Sequence, residues 1–128
     1  MINIDDLTVK QVREIAALAG RCGAKRAEAV EGEPAVIVRA YSGVFFGRLI
    51  ARRTGSVELR DARQIYWWGS AGLPERSNTC PDLAARGLGT DSKISSPAAR
   101  AIVEQVGAVF VASAKATRII DAQKWGAR

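Results

Sequence analysis

The hydrophobic and polar positions of this chain change their period along its length. In "DDLTVKQVREIAALAG", Val9, Val12, Ile15, Ala16 and Ala19 recur at helical spacing, and Thr8 with Gln11 has the spacing of a capping box. Gly20 and Gly23 mark a stop, and "AKRAEAVEG" adds a second short helix before Gly32 and Pro34. Residues 1–33 thus read as an N-terminal helical segment whose narrow alanine-rich stripe suits packing on a sheet or on a second copy. From Ala35 the period drops to two. Stretches 35–41, 44–52, 56–60 and 63–68 are rich in Val, Ile, Phe, Tyr and Trp, with joints at Gly43 and "TGS". Joints that short connect antiparallel strands.

Further on, Gly69 to Pro81 has the composition of a loop, "DLAARG" fits one or two helical turns closed by Gly87, and "GLGTDSKISSP" is loop again. Ala101 to Ser113 gives one or two strands, with a helix over 98–105 as the competing reading. A helix over 113–128, with Ser113 as its N-cap, ends the chain. The sum is one α+β domain, a curved antiparallel sheet of about five to six strands with N-terminal and C-terminal helices. Its sheet core runs over 35–112, with a loop and short-helix insertion at 69–97.

Alternation also sorts side chains by face. Val36, Val38 and Ala40 share a core face, while Ile37, Arg39 and Tyr41 share the other. Arg63, Ile65 and Trp67 fall together, as do Gln64, Tyr66 and Trp68. A face that mixes apolar, cationic and aromatic groups suits a pocket floor or an interface. One indole is expected in the core and the other at a ligand or a partner, because a large ring on a wet strand face exposes apolar area. Asp61, between Arg60 and Arg63, either orients one of them or is an ordinary turn acid.

Charge narrows the partner. The net charge is +6, and residues 34–68 carry six bases, all arginine, against two acids. Guanidinium forks suit phosphate and stack on rings. There is no histidine, which removes the commonest general base, and two cysteines are too few for a zinc site needing about four ligands. The expectations are therefore no enzyme, no catalytic residue, no metal and no cofactor. No run approaches the roughly 18–20 apolar residues of a membrane span, and the start lacks a signal-peptide pattern. A cytoplasmic protein without membrane contact is expected. Single-stranded nucleic acid would use the same rings and arginines. A compact anionic nucleotide suits a few arginines better than a long backbone does.

The segments "VIVRAYSGVFFGRL" and "VELRDARQIYWW", the Leu83 to Gly87 turn and a C-terminal helix ending in Trp125 resemble the phage Thoeris anti-defence sponge proteins over residues 35–125. Three features depart from that pattern: Ser42-Gly43-Val44 lacks one small residue, Gln64 stands in place of a second arginine, and the 69–81 loop is longer. The resemblance implies a phage protein that binds a cyclic ADP-ribose-type signalling nucleotide and withholds it, intact, from a host defence effector. It also implies homo-oligomers, dimers or hexamers, with cyclic di- or trinucleotides as further ligands. The ligand-binding residues expected on this reading are Arg39, Tyr41, Ser42, Gly43, Phe46, Arg60, Arg63 and Trp68. Arginines would take phosphates, Tyr41 and Trp68 would stack, and Ser42 would offer a hydroxyl or amide. The alternatives are a basic single-stranded nucleic-acid-binding module, or an interaction domain whose aromatics form a dimer interface.

Overall fold

The structure, a computed structural model, describes residues 28–124. The expected helix in the first 20 residues, and the end of the C-terminal helix with Trp125, lie outside them. Seven strands and two helices follow in order: β1 (Glu28–Ala29), β2 (Ala35–Ala40), β3 (Gly43–Arg53), β4 (Ser56–Trp67), α1 (Cys80–Arg86), β5 (Lys93–Ile94), β6 (Ala98–Glu104), β7 (Val106–Val111) and α2 (Ala114–Ala122). The class is the expected one, α+β with an antiparallel sheet. Its order is β5-β4-β3-β2-β7, with β1 also pairing β3 and β6 also pairing β4.

Strand length explains that branching. β3 has 11 residues and β2 only 6, so half of β3 would be left with unpaired backbone. Glu28 and Ala29 fill that edge opposite Arg52 and Ala51. Of the short helix expected over 24–32, residues 24–27 lie outside the described residues, and at Glu28–Ala29 strand pairing overrides the local helical propensity. The stretches 56–60 and 63–68, expected as two strands, belong up to Trp67 to one strand of 12 residues. Its interruption is a bulge at Asp61, whose φ of 53° lies in the left-handed region. Opposite the bulge, a Cβ on Gly47 would stand 3.1 Å from the Arg60 carbonyl, so a glycine there admits the close approach of the two strands. Residues 98–105 are strand and not helix, and Gln105, with φ 53°, bends the chain from β6 into β7. There Tyr41 N donates to Gln105 O at 3.1 Å, and Val106 N donates to Gly55 O at 3.0 Å.

The bent sheet buries both faces without closing. One face, with Ile37, Phe46, Ile65 and Ile94, packs under Leu83 and Ala84 of α1 and Ile120 of α2. The other curls on itself over Val36, Val38, Leu49, Val57, Leu59 and Val103. Alternation along β2 separates Val36 and Val38 from Ile37 as expected, but the Ile37 face, expected as a pocket floor or interface, is core at Ile37 because the helices cover it.

The helices are capped and tied to each other. Thr79 accepts from Asp82 N, while the Asp82 carboxylate accepts from Asn78 N at 3.0 Å and Thr79 N at 3.1 Å. Those amides hold the Asp82 carboxyl below its usual range, Asn78 most strongly, with Arg86 adding to the effect. Ser113 caps α2 as expected, accepting from Ala116 N at 3.0 Å, and donates its hydroxyl to Ala85 O at 2.8 Å. One side chain thus starts α2 and anchors it on α1. No helix among the described residues is long and apolar enough to cross a membrane.

Candidate functional site

β4 ends at Tyr66 and Trp67, Trp68 follows directly, and the chain then enters two loops that press against each other. The loop after β4 and the loop after α1 meet backbone to backbone: Gly89 N donates to Gly69 O at 2.7 Å and Thr90 N to Ala71 O at 3.1 Å. A side chain at either glycine would meet an obstacle, backbone at Gly89 and a movable side chain at Gly69. A Cβ on Gly89 would collide with the Ala71 amide, and one on Gly69 would collide with the Asp91 carboxylate. Ser92 Oγ accepts from Gly69 N at 3.1 Å, and Asp91 Oδ1 accepts from Ala71 N at 3.3 Å. Composition alone reads these stretches as loop; the hydrogen bonds make them a braced wall.

Between this wall and the end of β4 lies an open cleft of about 630 Å³. Tyr66, Trp67 and Trp68 contribute rings, Arg76 and Asn78 come from the loop after β4, and Asp91 comes from the loop after α1. The volume falls within the roughly 300–1,000 Å³ of small-molecule sites. Trp68 is fixed: its indole N–H donates to Ser77 O at 2.9 Å, and its ring packs on the core beneath the helices. Ser77 is buried and donates its hydroxyl to Gly87 O at 2.8 Å, linking the cleft to the end of α1. Trp67 and Tyr66 keep 53% and 64% of their surface exposed, so theirs are the rings available for stacking.

Of the eight residues expected at a ligand site, Trp68 lines this cleft and the other seven do not. Phe46 is fully buried in the core under the helices, out of reach of any ligand. Arg63, only 5% exposed, spends its guanidinium on three carbonyls. It donates to Ser95 O at 2.9 Å, to Ile120 O at 3.0 Å and to Gln123 O at 2.9 Å. Ile120 and Gln123 stand at the end of α2, so Arg63 closes the helix C-terminus and meets its negative dipole end. Burial lowers its pKa, and Asp121 opposes that shift. These two residues are structural.

The rest are scattered. Arg60 pairs with Glu33 at 3.1 Å. It belongs to a row across three strands, opposite Arg48 on β3 and Arg100 on β6. Arg48 pairs with Asp121 and Arg100 with Glu58, both at 2.8 Å, so the row is neutralised by acids. Arg39 is exposed beside Gly107 and opposes, by its charge, the upward shift that burial gives the Cys80 thiol. Tyr41, in the β2–β3 turn, is 88% exposed. Ser42 O accepts from Gln64 Nε2 at 3.3 Å, and Gly43, at φ 138°, leaves room for that amide.

Tyr66, Arg76, Asn78 and Asp91 line the cleft without having been singled out as ligand residues, and of the two indoles, one expected in the core and one at a ligand or partner, Trp67 is the more exposed. Alternation misleads at the end of β4 because the β4–β5 register shifts between Ile65 and Trp67, which turns Trp67 outward and Trp68 onto the core. A usable signal was present in the three consecutive rings that stop at Gly69, since a strand that ends in rings at a glycine joint puts them at the sheet rim.

A second hollow of about 340 Å³ lies where the β3–β4 hairpin tip meets β7, lined by Arg52, Arg53 and residues 106–109 among others. It offers charge without rings. Among the described residues no three Cys, Asp or Glu side chains gather as metal ligands would.

A family model described as Domain of unknown function (DUF6948) matches residues 33–120, and the chain belongs to that family. No curated protein and no solved structure matches the chain.

Proposed function

We propose that this member of the family is a non-catalytic binder of a ring-containing anionic small molecule. The ligand class is a cyclic ADP-ribose-type nucleotide, which the protein withholds from a host defence effector in the cytoplasm of a phage-infected cell. One observation supports the binding most: a nucleotide-sized cleft with the exposed rings of Trp67 and Tyr66 beside Arg76. The nucleotide class and the phage setting come from the resemblance of residues 35–125 to the sponge proteins.

The chemistry is that of a site for holding. The two serine hydroxyls in the cleft are engaged, Ser70 Oγ accepting from Ser77 N at 2.8 Å and Ser77 Oγ donating to Gly87 O. The chain has no histidine to activate them. A protein that sequesters needs to bind only the ground state. To outcompete a sensor it needs an affinity of about −12 kcal/mol, near nanomolar. An open cleft in a single chain falls short of that, so a second copy is the proposed cover. A nucleic-acid role has less in its favour, since Arg48, Arg60 and Arg100 are already paired with acids.

Isothermal titration with cyclic ADP-ribose should give saturable binding, with the ligand recovered intact after heat denaturation. Trp67→Ala should weaken binding roughly 10- to 100-fold, the scale of one lost base–ring stack. Absence of heat would remove the proposal, and a degraded ligand would make the protein an enzyme. Affinity for single-stranded DNA that exceeds this and falls steeply with salt would favour the nucleic-acid reading.

A further inference from the structure

The cleft carries two charges of opposite sign, drawn from two loops. Arg76 supplies the positive one. The neighbouring acids are committed elsewhere: Glu75 pairs with Arg86 at 3.0 Å and Asp82 pairs with Arg86 at 2.9 Å. Arg86 also donates to Arg76 O at 2.8 Å, which fixes the backbone of Arg76. Among the described residues the Arg76 side chain has no ion pair, so its guanidinium is left to the cleft.

Asp91 supplies the negative charge. Its Oδ1 accepts from Ala71 N, and among the described residues Oδ2 has no hydrogen-bond donor and the carboxylate no cation. The carboxylate lies against Gly69, where any side chain would displace it. A carboxylate is an acceptor only, so whatever faces it must donate. A phosphate there would be repelled. The pair of acceptor oxygens suits a vicinal diol, as acidic residues suit ribose hydroxyls elsewhere.

Resting on the proposed function, we infer that the cleft reads its ligand at two ends: Arg76 takes the phosphate, and Asp91 takes the ribose diol across the ring face of Trp67. The ligand class is then a ribonucleotide with an unmodified cis-diol. Nucleotides without that diol, or with a second phosphate on it, bind weakly.

The test is isothermal titration of the full chain with AMP, 2′,3′-dideoxy-AMP and adenosine. The wild type should bind AMP at least 10-fold more tightly than the dideoxy analogue. Asp91→Asn keeps an oxygen for Ala71 N and loses the second acceptor, and it should bring the two affinities within about twofold at unchanged melting temperature. Asp91→Ala should do the same. Arg76→Gln should weaken AMP at least 10-fold and leave adenosine unchanged. Equal binding of AMP and its dideoxy analogue to the wild type, or a diol preference that survives both Asp91 variants, overturns the inference. Cyclic ADP-ribose bound without any affinity for AMP overturns it too, yet leaves the proposed function standing. Failure of every nucleotide removes both.

Discussion

Replacing Arg63 with methionine is expected to lower the unfolding free energy by about 3–5 kcal/mol, measured by urea denaturation. Methionine matches much of the aliphatic stem but offers no donor. The carbonyls of Ser95, Ile120 and Gln123 would each lose the partner that now lies within 3.0 Å. A buried acceptor left bare costs about 1–3 kcal/mol, and two of these three also lose a cation at a helix end. Arg63→Lys should recover only part, because one ammonium cannot span three carbonyls held by a planar fork. An unchanged denaturation midpoint in Arg63→Met would mean that the guanidinium is not holding α2. The residue would then return to the set available for a ligand.

Gly89→Ala is expected to abolish ligand binding and to cost about 1–3 kcal/mol of stability, the scale of the two hydrogen bonds it would break. The obstacle is backbone: the new Cβ would collide with the Ala71 amide, and no rotamer change relieves that. The two loops would separate, losing the bonds from Gly89 N to Gly69 O and from Thr90 N to Ala71 O. The wall that carries Asp91 would move with them. Gly69→Ala makes the useful contrast, since its collision is with the Asp91 side chain, which can swing away. It should leave the melting temperature nearly unchanged while altering ligand selectivity. Equal stability and affinity for Gly89→Ala and the wild type would show that the loops are not braced.

Much of the fold was legible because it is built on local rules. Alternation located β2 and β3, the serine ahead of "AKATRIID" marked the start of α2, and Gly87 marked the end of α1. β1 and β5, two residues each, could not be seen, for they exist only where a longer strand offers a free edge. The site was harder to read for a different reason. Arg63 and Arg76 look alike in sequence, and only the position of the α2 terminus makes one structural and the other available. Trp67 and Trp68 exchange roles through a register shift that no pattern in the sequence announces. Rings and an arginine do line one cleft, at Trp67, Tyr66 and Arg76, and of the residues first expected at a ligand only Trp68 is among its lining.

The most direct measurement is a two-dimensional amide NMR titration of the isotope-labelled chain with cyclic ADP-ribose. The Trp67 indole and the amides of residues 66–71, 76–78 and 89–91 should shift together and saturate together, while those of residues 52–57 and 106–109 stay in place. Shifts confined to the hollow beside Arg52 and Arg53, or no shifts at all, would contradict a ligand in the cleft.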